Sequence, residues 1–121
     1  TKTLVKSDAE ECNLPMTVIV NGNTASAAEL FTASLHDFGK ASIVGTQTFG
    51  KGIMQVTQTM PGGGALTLTV ATYQTTKGEC YHKVGITPDE IVEPGEDAID
   101  YDNPDPEKDP QLKKAIEMVT Q

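Results

Sequence analysis

Two short apolar runs, 16–20 and 41–45, flank a turn and one amphipathic segment, and this arrangement constrains the chain more than any other feature. The first run, Met16-Thr-Val-Ile-Val20, is the continuous β-branched pattern of a buried parallel strand. Asn21-Gly22-Asn23-Thr24 ends it with turn residues. Between 26 and 38, Ala27, Leu30, Phe31, Ser34, Leu35 and Phe38 recur at three- and four-residue intervals. That period predicts a helix with an apolar stripe, and Gly39 suits its C-cap. Strand, helix, strand with short connections makes a βαβ unit, so the strands are expected to be parallel with a right-handed crossover.

The pattern changes after Gly45. Residues 55–60 and 65–75 alternate in period two, with Val56, Leu66, Leu68 and Val70 as the inward positions. Pro61-Gly-Gly-Gly64 reads as the loop of a hairpin, and Thr76-Lys77-Gly78-Glu79 as a further turn. Residues 93–109 hold eight acids and three prolines, the composition of a solvated linker. Residues 110–119 predict a short amphipathic helix with Leu112, Ile116 and Val119 on one face. The expected organisation is an irregular lead-in over 1–14, a βαβ unit plus β-region over 15–92, an acidic linker over 93–109 and a helix over 110–121.

Composition narrows the function classes. At 37% hydrophobic and 5% aromatic, with no Trp, the 121 residues are lean for a self-sufficient core and read as a piece of something larger. A net charge of −8 argues against DNA or RNA as partner, and against purely electrostatic attachment to anionic lipid. No apolar stretch approaches the ~20 residues that span a bilayer. The start, Thr1-Lys-Thr-Leu-Val-Lys-Ser-Asp, carries no signal-peptide pattern. Cys12 and Cys80 read as two independent thiols, with pairing in an oxidising compartment left open. Neither has zinc-ligand spacing, the acids lack EF-hand spacing, and neither a metal nor a cofactor is expected.

The chemistry concentrates in two loops. Ser26-Ala-Ala-Glu29 matches a capping box, and from these four residues alone capping is the simpler reading. A serine at a helix N-terminus is also well placed to be a nucleophile. The unpaired amides and positive dipole end of the first turn stabilise an oxyanion, and the Ala27 N–H is the natural donor. Small neighbours, Ala25, Ala27 and Ala28, leave room for a substrate carbonyl. A serine hydroxyl needs a base. His36 lies ten residues along the same helix, about 15 Å away, and cannot reach; His82, in the later β-region, stays open. Lys51 sits between Gly50 and Gly52, which permit close approach of backbone or substrate. Phe49 and Ile53 supply an apolar wall, and a desolvated lysine amine can accept the serine proton. Gln55, four residues on, can orient that amine only if the chain bends around Gly52, because residues four apart in a regular strand lie ~13 Å from one another. Asp37, about 16 Å from Ser26 along the helix, reads as structural.

These residues together resemble the C-terminal processing peptidases, or tail-specific proteases, of serine peptidase family S41. The resemblance runs from about Leu14 to Val119. It rests on the strand before Asn21-Gly22, Ala25-Ser26-Ala27 with Glu29, Leu35-His36-Asp37, Thr48-Phe49-Gly50-Lys51-Gly52 with Gln55, Ala65-Leu66-Thr67-Leu68-Thr69, Gly85-Ile86-Thr87-Pro88-Asp89 and the closing helix. It implies a ClpP/crotonase-like α/β core and a Ser–Lys–Gln site at Ser26, Lys51 and Gln55. It also implies cleavage near the C-termini of extended peptide or protein tails, without metal or nucleotide, outside the cytoplasm. Asn23 and Thr24 depart from the family's usual Gly and Ser. The family's PDZ domain, its upstream glycine motif with a second oxyanion amide, and the first strands of its core are absent. The chain thus reads as the C-terminal part of a protease domain, open to self-association through exposed strands. Two readings compete with the Ser–Lys endopeptidase. One is a non-catalytic peptide-binding or assembly module of the same fold. The other is a crotonase-like acyl-thioester enzyme, disfavoured because its chemistry does not call for the Phe49-Gly-Lys51-Gly motif.

Overall fold

A computed structural model describes residue 3, residues 12–95 and residues 102–120. The order is β1 (Thr17–Val20), α1 (Ala27–Asp37), β2 (Ser42–Gly45), β3 (Ile53–Thr59), β4 (Ala65–Thr72), β5 (Glu90–Ile91) and α2 (Pro110–Val119). The first three elements form the expected βαβ unit, with β1 and β2 parallel in the register Val18↔Ile43 and Val20↔Gly45. A two-residue strand that carries no readable period, β5, pairs parallel with β2 through Val44↔Glu90 and makes β2 central. Ile43 and Val44 are consecutive, so their side chains leave β2 on opposite faces, and both are buried. The central strand is therefore covered on both sides, with α1 and α2 packed against it.

α1 buries a face other than its apolar one, and α2 keeps Leu112 and Val119 half-buried. On α1 the buried residues are Glu29, Thr32 and Ala33, while Phe31 and Phe38 are 62% and 67% exposed. The two rings border an apolar groove of about 500 Å³ with Met16, Leu35 and Cys12. The reason for the inversion is polar: Glu29 is completely buried because it accepts hydrogen bonds from two loops. On α2, Gln111 and Ala115 are buried and Ile116 is exposed. Gln111 Nε2 donates to the Val92 carbonyl (2.8 Å), tying the helix to the end of β5. Asp109 caps α2 through the amides of Gln111 and Leu112, with Pro110 at the first turn.

β3 and β4 form a separate antiparallel hairpin in which Val56 faces Leu68 and Gln58 faces Leu66. The inward assignment of Val56, Leu66, Leu68 and Val70 is corrected here. They are 46–54% exposed, because no described element covers the hairpin. Cys12 and Cys80 are exposed free thiols. Part of the lead-in and part of the acidic linker lie outside the described residues, and no helix among those described is long and apolar enough to cross a membrane.

Candidate active site

In a parallel sheet, the loops that follow adjacent strands emerge at one edge, where α/β proteins build their sites. Here they are 21–26 after β1 and 46–52 after β2. Asn21 opens the first with a tight turn, in which Thr24 N–H donates to the Asn21 carbonyl and Asn23 N–H to Asn21 Oδ1, both at 2.9 Å. The loops touch directly through Phe49 N–H and the Thr24 carbonyl (3.0 Å).

Ser26 ends the first loop at φ 58°, ψ −116°, a conformation that side-chain-bearing residues rarely adopt. Such strain persists only where surrounding contacts enforce it, and it gathers at functional positions. The enforcing contact is Ser26 N–H donating to Glu29 Oε2 (2.9 Å). This is the Glu29 half of a capping box between the two residues. Ala27 begins α1, so its N–H has no intrahelical acceptor, and Ala27 and Ala28 are exposed.

Glu29 reaches further than a cap. Its Oε2 also accepts from Lys51 N–H (2.8 Å), while Oε1 accepts from Gly50 N–H (2.7 Å) and the Thr48 hydroxyl (2.6 Å). One carboxylate oxygen thus bridges the amides of Ser26 and Lys51, whose nitrogens lie within about 6 Å of each other. Burial pushes the Glu29 carboxyl up. The Thr48 hydroxyl and the amides of Gly50, Lys51 and Ser26 outweigh it and hold the group below its ordinary value. From sequence Glu29 is a capping partner; the motif carries no sign of the nineteen-residue reach to Thr48.

A second bracket grips the Lys51 loop from the other side. Lys83 N–H donates to the Gly50 carbonyl (2.8 Å), Thr48 N–H to the Ile86 carbonyl (3.2 Å), and Ile86 N–H to Thr48 Oγ1 (2.7 Å). A Cβ on Gly50, whose φ is +87°, would stand 2.8 Å from Gly85 N, and one on Gly52 would stand 3.0 Å from His82 N. The glycines flanking Lys51 are therefore demanded by close backbone packing.

Lys51 is half-buried, and its amine makes no ion pair or hydrogen bond with the described residues. Phe49, expected as an apolar wall, is 66% exposed, which corrects that expectation. Gln55 follows a bulge at Met54/Gln55, and its amide reaches Thr69 Oγ1 at 3.5 Å across the hairpin. The structure thus joins the Ser26 and Lys51 backbones but turns Gln55 toward Thr69. Asp37 accepts from the Thr76 hydroxyl and Lys77 N–H and pairs with Lys77, a structural tether. His36 Nε2 meets Asp89 Oδ1 at 3.0 Å, far down α1 from Ser26. The described residues hold no cluster of His, Cys, Asp and Glu able to bind a metal.

A strained residue at a helix N-terminus, tied to a lysine-bearing loop at one edge of a parallel sheet, marks an α/β protein with a polar site at that edge. The chain belongs to peptidase family S41, whose model matches residues 1–92. It is 40% identical over 107 residues to a carboxyl-terminal-processing protease of Picosynechococcus sp., covering 88% of this chain and 25% of the relative. It is 41% identical over 88 residues to the carboxy-terminal processing protease CtpA of Bacillus subtilis, covering 72% and 19%. Among solved structures, a photosystem II D1 C-terminal processing protease superposes with a TM-score of 0.62 at 39% identity, covering 65% of this chain and 20% of that one. The chain spans a quarter or less of the length of these relatives.

Proposed function

We propose that this chain carries the nucleophile and base of a C-terminal processing serine endopeptidase. Ser26 Oγ attacks the scissile carbonyl, Lys51 accepts its proton and returns it to the leaving amine, and Ala27 N–H donates to the oxyanion. Gln55 orients the lysine amine when substrate is bound, the bulge at Met54/Gln55 being the device that re-aims a strand residue. The chain is the C-terminal portion of the catalytic domain, its core of the ClpP/crotonase type. Its substrates are extended peptide tails adding main-chain hydrogen bonds to an exposed strand, in an extracytoplasmic compartment. One observation carries this reading: a strained Ser26 whose amide shares a carboxylate oxygen with the amide of Lys51.

The test is covalent labelling. A fluorophosphonate should label Ser26, and Ser26→Ala should remove the label. Lys51→Ala should slow labelling at least about tenfold at pH 7 while the fold, read by circular dichroism, is kept. A Lys51→Ala variant that labels at the unmodified rate sinks the Ser–Lys assignment.

A further inference from the structure

We infer that Glu29 is a positioning residue: its ionised carboxylate locks the nucleophile loop and the lysine loop into one unit, and Ser26 reactivity depends on that lock. The inference rests on the Ser–Lys reading for its consequence but on hydrogen-bond geometry for its substance.

All four partners of Glu29 are donors: three backbone N–H groups and the Thr48 hydroxyl. Only a carboxylate offers enough acceptor sites for all four, since a protonated or amide side chain turns one position into a donor. The pairing by oxygen sharpens the point. Oε2 serves Ser26 and Lys51, whereas Oε1 serves Gly50 and Thr48. In Glu29→Gln, whichever way the amide turns, one pair of donors faces an NH₂ group in a site with no exposure to water. Either the nucleophile and lysine amides lose their shared acceptor, or the lysine loop loses its hold at 48 and 50. A cap needs only the Ser26 contact; a residue that also reaches three groups at 48–51 sets the distance between two loops. Burial, and after it the charge of Glu29, push the Tyr81 phenol up, so it stays neutral beside the carboxylate.

The experiment uses the 121-residue chain, Glu29→Gln and Thr48→Val, with a fluorophosphonate as probe and amide NMR as the second readout. Expected are Ser26, Gly50 and Lys51 amide protons shifted downfield by a charged acceptor, and similar exchange protection at Ser26 and Lys51. In Glu29→Gln the amides on the broken oxygen move upfield and labelling falls about tenfold or more, while Thr48→Val, which removes one of the four Glu29 bonds and the Ile86 N–H bond to the same hydroxyl but leaves the bridge from Ser26 to Lys51 in place, loses less. Should Glu29→Gln fail to fold, exchange in the unmodified chain decides. Opening constants for Ser26 and Lys51 within about threefold support the lock, and constants tenfold or more apart overturn it. Labelling in Glu29→Gln at the unmodified rate also overturns it. If the unmodified chain does not label at all but its amides behave as described, the lock stands and the Ser–Lys reading is what fails.

Discussion

At the scale of single residues, the site is built from positions where the ordinary rules are broken. Ser26 holds a backbone conformation suited to glycine, which costs on the order of 1–3 kcal/mol. We expect Ser26→Gly to be more stable than Ser26→Ala by about 1 kcal/mol in urea unfolding, with neither variant labelled by a serine probe. Equal stabilities would show that the strain is not stored there. Gly50 is the converse. A methyl at φ +87° against Gly85 N at 2.8 Å has no room, so Gly50→Ala should destabilise the chain by about 2 kcal/mol or more. What the sequence hid at this scale was distance. Ser26-Ala-Ala-Glu29 declares a capping box plainly, but nothing in four residues says that the glutamate also holds Thr48, Gly50 and Lys51.

Among the elements, the βαβ unit was readable because its signals are local: β-branched runs, a turn rich in Asn and Gly, and a period of three and four. The buried side of α1 was not readable, because hydrophobic periodicity locates apolar residues and the helix is anchored by a carboxylate. That anchor makes the packing sensitive to acid. The Glu29 pKa is lowered in the folded chain, so the unfolded chain binds the proton more tightly. Its contribution to stability is complete above its ordinary value of 4.5 and is lost as pH falls through the lower folded value. Asp37 is also held low: burial raises it, but the Thr76 hydroxyl and the Lys77 amide lower it more, and it adds a loss of the same sign. Urea midpoints measured from pH 7 to pH 3 should therefore decline, and Glu29→Gln should flatten the decline. A decline unchanged in that variant would assign the acid sensitivity elsewhere.

Taken whole, the molecule divides its charge unevenly. It carries a net −8, yet residues 52–76 contain no Asp, Glu, Lys or Arg. This stretch includes the entire β3–β4 hairpin, with Val56, Leu66 and Leu68 on one exposed face. Two-stranded hairpins are marginal alone, and edges without charge or proline invite pairing. We expect the 121-residue chain to self-associate in sedimentation experiments, and Leu68→Lys to shift it toward monomer without altering the circular dichroism of the βαβ unit. A strictly monomeric unmodified chain would contradict this.

The bracket over the Lys51 loop also gives the fold a direction in time. Synthesis runs from the N-terminus at roughly 5–20 residues per second. A nascent chain ending at residue 80 already contains β1, α1, β2 and Glu29, but it lacks the Lys83 amide and the Ile86 amide and carbonyl that pin Gly50 and Thr48. Until those groups leave the ribosome, the loop that bears the lysine is held from one side only. Premature stops before residue 83 should thus yield polypeptides that contain Ser26, Lys51 and the Glu29 carboxylate between them but lack the second clasp on the lysine loop.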